Sequence, residues 1–374
     1  MKVKLLLFLF LLGLFLSGTG CRHKTIVPFS NRNIVYEGRI AQTPEAAVFY
    51  WPGTSATLYL QGKGSVYALL KDEKGKNYYN VILDNDSIRL LHPDTVKQAL
   101  LLAAQLPEGK HSVEIFKRSE WDQGSTRFFG FLLQGNFKVL PPPERKALKL
   151  EFYGNSITAG YAVDDDPGHS HPDSIFTNLY DSYAALTARY FHAHSRYICK
   201  SGIGIMISWF PLTMPQLYDR LNPEDSASRW DFSKYTPDIV VVNLLQNDSW
   251  LVKMPKRIGF KEKFGSTPPS ETYIVNAYKN FISTLRGRYP KAKIICMLGN
   301  MDITRKGSPW PGYVKEAVRQ LHDSAVYTLF VPYKNTPGHP SRKEQKILAD
   351  SLIQKIKGIA GYTSPRVSEI PGGE

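Results

Sequence analysis

Cysteine is scarce in this chain: three occur among 374 residues, at positions 21, 199 and 296. So few exclude a disulfide framework. Cys199 and Cys296 follow the apolar runs Tyr197-Ile198 and Ile294-Ile295 and are expected to be buried free thiols. Any long Lys/Arg run is also missing. The formal net charge is +14, but the positive residues are spread through the chain, which fits a solvated surface and argues against nucleic acid as a partner. No segment repeats and no tract is of low complexity. Metal-ligand spacing is lacking too. The pairs His169/His171 and His192/His194 have no cysteine or third ligand nearby in sequence, and Asp164-Asp165-Asp166 reads as a solvated loop. No metal and no cofactor are expected.

What is present falls into three materials. In residues 1–20, Lys2 and Lys4 precede the apolar run Leu5 to Leu16, and small residues then lead to Cys21. The run is too short to span a bilayer and reads as a signal peptide. A cysteine directly after small residues resembles a bacterial lipoprotein signal, in which that cysteine is lipidated. Gly18 stands where that pattern usually has leucine, and ordinary secretion is the alternative. The expected location is the cell envelope or outer-membrane surface, held by a lipid anchor alone, or outside the cell.

Residues 34–140 read as all-β. Short runs rich in β-branched and aromatic residues (Ala46 to Trp51, Ala56 to Leu60, Ser65 to Leu70, Tyr78 to Leu83, Ser112 to Lys117, Phe128 to Phe131) recur between turn signals such as Gly62-Lys63-Gly64. This spacing predicts an antiparallel sandwich of jelly-roll type. Residues 141–147 open with Pro141-Pro142-Pro143 and read as an extended linker. Over 148–360 the rhythm changes. Strand candidates at Leu148 to Tyr153, Asp238 to Leu244, Lys293 to Leu298 and Tyr327 to Val331 alternate with amphipathic stretches at Tyr180 to Phe191, Tyr273 to Arg288, Tyr313 to Asp323 and Ser341 to Lys357. That alternation predicts an α/β domain whose parallel sheet is covered on both faces. Sites in such sheets lie outside the carboxyl ends of the strands.

Four strand ends carry chemistry. The first leads into Gly154-Asn155-Ser156. Tyr197-Ile198-Cys199-Lys200 leads into Ser201-Gly202-Ile203-Gly204. The Asp238 strand leads into Leu245-Gln246-Asn247-Asp248, and the last leads through Pro337-Gly338 to His339. A hydroxyl nucleophile, a backbone donor, a side-chain amide donor and an imidazole base are the parts that acyl transfer needs. Trp209, Trp250 and Trp310 lie near strand ends, where each could pack in the core or stack on a ring of a ligand.

This order resembles the SGNH (GDSL-type) hydrolases, whose domain is flavodoxin-like. Tyr50-Trp51-Pro52-Gly53, Asn77 to Ile82, Thr213 to Arg220 and Trp230-Asp231-Phe232 are similar to segments of the family 2 carbohydrate esterases. Members of that family join an N-terminal jelly roll to an SGNH domain and remove acetyl groups from plant polysaccharides. The resemblance implies Ser156 as nucleophile and His339 as base, with no cofactor. It implies an oxyanion hole made of the Ser156 and Gly202 N–H groups and the Asn247 amide, Gly204 being the alternative glycine. Asn155, Gln246, Trp250 and Trp310 are candidates for contact with an acetylated polysaccharide or oligosaccharide.

Three departures stand out. Asn155 replaces the usual aspartate, Leu245-Gln246 replaces glycine-threonine and would reshape the pocket, and Thr336 and Pro337 occupy the places where a triad acid would precede His339. The family tolerates a serine–histidine dyad with a backbone carbonyl orienting the imidazole. The carbonyl of Pro337 or Gly338 is expected to do so here. The other reading is a degenerate, glycan-binding surface lipoprotein, with His339 turned away from Ser156.

Overall fold

The computed structural model describes residues 24–144 and 148–360. The 1–20 leader, Cys21 and residues 145–147 of the linker lie outside the described residues.

The first unit is antiparallel throughout. Its strands are β1 (Lys24–Pro28), β2 (Val35–Glu37), β3 (Ile40–Gln42), β4 (Ala47–Phe49), β5 (Ser55–Asp72), β6 (Tyr79–Leu83), β7 (Ser87–Leu91), β8 (Gln98–Lys117) and β9 (Thr126–Val139). They pair in the order β3-β4-β9-β5-β8-β6-β7, with β1 added to β9 and β2 to β5. Along β5 the even positions Ala56, Leu58, Leu60, Val66, Ala68 and Leu70 are buried while Tyr59, Tyr67 and Lys71 face outward, the period of two that a half-buried strand requires. They meet Phe49, Phe128 and Phe131 in one sandwich core.

The turn expected at Gly62-Lys63-Gly64 is not a turn. These residues lie inside β5, where the register with β8 shifts. Gly62 has φ +131°, and a Cβ there would stand 2.0 Å from the Asn136 carbonyl oxygen. The glycine is a point of close backbone approach at a bulge.

The second unit has five parallel strands, β10 (Lys149–Gly154), β11 (His194–Cys199), β12 (Ile239–Asn243), β13 (Lys293–Leu298) and β14 (Val326–Phe330), in the order β11-β10-β12-β13-β14. That is the flavodoxin-like arrangement. Among the described residues, eight α-helices accompany them: α1 (Ser156–Ala159), α2 (Tyr183–Tyr190), α3 (Met214–Leu217), α4 (Gln246–Leu251), α5 (Ile258–Phe264), α6 (Glu271–Arg288), α7 (Trp310–Leu321) and α8 (Arg342–Ala360). All of β12 is buried, which explains its unbroken apolar run. One face packs on Tyr278, Phe281 and Ile282 of α6 and Val314 of α7, the other on Ala184 of α2 and Leu348, Leu352 and Ile356 of α8. Cys199 and Cys296 are buried and unpaired.

A buried polar seam joins the units. Arg39, between β2 and β3, donates to the carbonyls of Tyr218 (2.6 Å) and Arg220 (3.1 Å) and to Glu151 Oε1 on β10 (2.9 Å). Both charged side chains are almost wholly buried, at 1% and 0% exposure. Tyr289 donates to the other Glu151 oxygen, and Trp230 and Phe232 each lie 5.5 Å from the guanidinium. Trp51 enters the hydrolase-side core, its indole N–H bonded to the Leu221 carbonyl at 3.0 Å. Arg39→Met strands the Glu151 carboxylate and is expected to cost about 3–5 kcal/mol in chemical denaturation. A loss under about 1 kcal/mol would show that the pair does not join the units.

Candidate active site

Strand register sets the site. Gly154 of β10 is paired with Cys199 of β11 and Asn243 of β12, so three chain segments leave the sheet side by side. At Gly154 a Cβ would lie 1.9 Å from Thr158 Oγ1. Only glycine lets β10 turn directly into α1 beneath Thr158. Asn155 then caps that helix, its Oδ1 accepting from Ile157 N at 3.0 Å. Ser156 is the first helical residue, where the backbone N–H has no carbonyl a turn earlier in the helix to donate to.

The chain after β14 brings back His339. Its Nε2 lies 3.1 Å from Ser156 Oγ, across 183 residues of sequence. Tyr161 places its ring 4.7 Å from the imidazole. Burial, with the nearby Lys334 ammonium, pushes the imidazole down to about 4, so it is neutral at physiological pH.

The Pro337 or Gly338 carbonyl expected at Nδ1 is not its partner: Ser170 Oγ stands there, at 2.9 Å. The loop before His339 wraps the Lys334 ammonium, which takes the carbonyls of Thr336 and Pro337, each at 2.8 Å. Gly338 sits at φ +67°, and a Cβ there would be 2.8 Å from the Gly168 backbone. The Pro337 carbonyl is therefore committed to a cation, and the imidazole is met from another loop.

The oxyanion candidates are anchored from the sandwich. Glu120, buried between β8 and β9, accepts from Lys200 Nζ (2.8 Å), from the Ser201 N–H (2.9 Å) and from the Ser201 hydroxyl. The Glu120 segment is itself gripped by Lys117, whose buried ammonium donates to the carbonyls of Tyr50, Ser119 and Glu120 and is pushed down to about 7 by burial. Gly202 follows at φ +81°. Its N–H bonds to no described residue, whereas that of Gly204 is taken by Ser208 Oγ at 2.9 Å. The geometry therefore favours Gly202 over Gly204 as a donor to a ligand.

Asn247 is held by two one-way partners. The Trp209 indole N–H, which can only donate, bonds Oδ1 at 3.1 Å; the Ile203 carbonyl, which can only accept, takes one Nδ2 hydrogen at 2.8 Å. The second Nδ2 hydrogen is left over. Asp248 beside it accepts from the N–H groups of Ile205, Met206 and Ile207, bracing the loop that follows Gly202, while burial lifts its carboxyl to about 6.

Three of the four residues suggested as substrate contacts turn inward. Asn155 (0% exposed), Gln246 (2%) and Trp310 (4%) are buried. Gln246 Nε2 bonds Asp302 at 2.7 Å, and half-buried Trp250 spends its indole N–H on the same carboxylate. Leu245 points into the apolar core at φ +76°, a left-handed backbone that explains why glycine is usual there. The altered pair thus packs inward and does not reshape a pocket. The exposed tryptophan at the site is Trp209, at 41%.

Sequence reading also missed Ser170 and Glu120. Both act from loops remote in sequence, with no motif to mark them. Asp165, read from the sequence as part of a solvated loop, stands as a third group beside the His169/His171 pair, with ligand atoms all within 4.8 Å. Its carboxylate is already occupied by the Asp166 N–H and by the backbone N–H and ring of His171.

A neutral imidazole facing a serine hydroxyl, beside unspent N–H donors, can run acyl transfer. The His339 imidazole is expected to titrate near pH 4 by NMR. Because that value lies below the ~6.5 of an unfolded histidine, His339 favours unfolding as pH falls from about 6.5 toward 4. A midpoint at 6 or above would contradict the burial argument, and His339→Gln should lose this part of the pH dependence.

The chain is similar to known proteins over most of its length. The carbohydrate esterase 2 N-terminal family matches residues 36–143, and the GDSL-like lipase/acylhydrolase family matches residues 152–352. The cellulase/esterase CelE of Acetivibrio thermocellus is 31% identical over 350 residues, 89% of this chain; the chain spans only 40% of that protein's length. An acetylxylan esterase/glucomannan deacetylase of Cellvibrio japonicus is 26% identical, covering 89% of this chain and 90% of that protein. The solved family two carbohydrate esterase from Clostridium thermocellum, in complex with cellohexaose, superposes with a TM-score of 0.77 at 31% identity, over 88% of this chain and all of that one. The chain belongs to carbohydrate esterase family 2, with a GDSL-like acylhydrolase domain behind its β-sandwich.

Proposed function

We propose that this protein is a serine esterase that removes O-acetyl groups from polysaccharides through an acetyl-serine intermediate. The observation that carries the proposal is the 3.1 Å contact between Ser156 Oγ and the Nε2 of a half-buried, neutral His339. Ser156 Oγ attacks the acetyl carbonyl as its proton passes to Nε2. The tetrahedral oxyanion is received by the N–H groups of Ser156 and Gly202 and by the spare Nδ2 hydrogen of Asn247. Collapse breaks the bond to the sugar oxygen, which leaves with the proton from Nε2. Water then repeats the sequence on acetyl-Ser156 and releases acetate.

A polysaccharide substrate is supported by the company the chain keeps: one relative is named for acetylxylan and glucomannan, and a solved neighbour holds cellohexaose. The glycan-binding alternative requires His339 turned away from Ser156, and the contact between them favours the esterase. Ser156→Ala should abolish acetate release across acetylated xylan, glucomannan, pectin and xyloglucan, and Asn247→Ala should lower turnover about 10²–10³-fold. A folded Ser156→Ala protein that still releases acetate would overturn the assignment. A lipidated Cys21 is proposed to hold the enzyme at the cell envelope; Cys21→Ser should shift it from the membrane to the soluble fraction.

A further inference from the structure

We propose that Ser170 is the positioning residue for His339: its hydroxyl oxygen accepts the Nδ1 proton, at the place where a Ser-His-Asp triad carries a carboxylate, and so leaves Nε2 unprotonated toward Ser156. This rests on reading Ser156 and His339 as the ester-hydrolysing pair. Ser170 Oγ makes two contacts with the same residue, 2.9 Å to Nδ1 and 3.1 Å from the His339 backbone N–H. A hydroxyl oxygen has two lone pairs. One takes the backbone N–H, the other takes Nδ1–H, and the hydroxyl's own hydrogen turns to solvent on the exposed side. The tautomer that results puts the Nε2 lone pair on Ser156 Oγ, 3.1 Å away. When Nε2 takes the serine proton, Nδ1–H stays where it is and its bond to Ser170 becomes charge-assisted. No proton passes to Ser170.

The loop is built to hold that hydroxyl still. Asp164, before it, is ion-paired to Arg118 and to Arg342. Arg118 also donates to the carbonyls of Ile175 (2.8 Å) and Thr177 (3.0 Å), after it. Between these anchors Asp165 accepts from the backbone and ring of His171, closing the loop around Ser170. The Gly168 backbone lies against Gly338, next to His339 itself.

The groups facing the imidazole are few. Lys334 comes from its own loop, Tyr161 from the segment after α1, Ser156 from α1 and Ser170 from the 164–173 loop. The nearest acids are engaged elsewhere: Asp164 with Arg118 and Arg342, Asp165 with His171, and Glu344 with Thr336 and Ser341. A hydroxyl orients the ring without adding negative charge, which agrees with the low position of the His339 titration.

The test is the pH dependence of kcat and KM for acetate release by the full chain and by Ser170→Ala, Ser170→Thr and Ser170→Asp, each checked for native circular dichroism. Ser170→Ala should lower kcat about 10- to 100-fold, with KM changed less than about threefold. Ser170→Thr keeps the hydroxyl and should restore most of kcat. Ser170→Asp puts a carboxylate on Nδ1, stabilises the imidazolium and should move the acid limb of kcat/KM upward by one to three pH units, the shift typical of an adjacent opposite charge. A loop merely loosened by substitution would not move that limb. Wild-type kcat in Ser170→Ala, or an unmoved acid limb in Ser170→Asp, overturns the inference. If Ser156→Ala is inactive while the Ser170 variants behave as wild type, only the role of Ser170 fails; if Ser156→Ala stays active, the esterase reading fails with it.

Discussion

One hydrogen bond gathers the rest of this structure around it: Ser156 Oγ to His339 Nε2, between residues 183 positions apart. It needs an imidazole that is neutral, fixed in one tautomer and shielded from water. Burial and a nearby ammonium keep the ring uncharged, and the Tyr161 ring lies over it. The parallel sheet supplies the distance constraint. Strands β10, β11 and β12 end in register, and loops leaving a sheet side by side need little further ordering to converge.

The sandwich reaches into the candidate site through buried charges. Glu120 holds Lys200 and Ser201 immediately before Gly202, Arg118 holds both ends of the loop that carries Ser170, and Arg39 locks β10 to the segment at Tyr218 and Arg220. These are buried charges, and such pairs contribute little net stability against apolar replacements. What they do here is specify geometry, since each has several hydrogen bonds that only one placement satisfies. The loops of the candidate site are thus positioned from a second unit.

Much of the fold was legible in the sequence because burial writes itself into apolar runs. Strands β10, β12, β13 and β14 match their apolar stretches to within about a residue, and α6 and α8 carry the expected apolar faces. The sandwich was harder. Short β2 and β3, with three residues each, leave no pattern, and β8 continues through Pro107 and Gly109, residue types that usually interrupt a strand. At the candidate site, Ser156, Gly202 and Asn247 stood out as residues just past strand ends, and His339 as the histidine of the loop after β14. Ser170 and Glu120 did not, because their roles come from loop contacts between segments distant in sequence. Asn155, Gln246 and Trp310 were misplaced for a related reason: sequence proximity to a nucleophile or an oxyanion donor does not say which way a side chain turns. All three turn inward.

The most direct test of the central claim is mass-spectrometric mapping of the full-length enzyme after reaction with a phosphonylating serine reagent. The account predicts a single adduct, on the peptide containing Ser156, with loss of acetate release in proportion to labelling and much slower labelling of His339→Ala. A protein that still releases acetate while unlabelled at Ser156, or that carries its inactivating adduct on another residue, would contradict it.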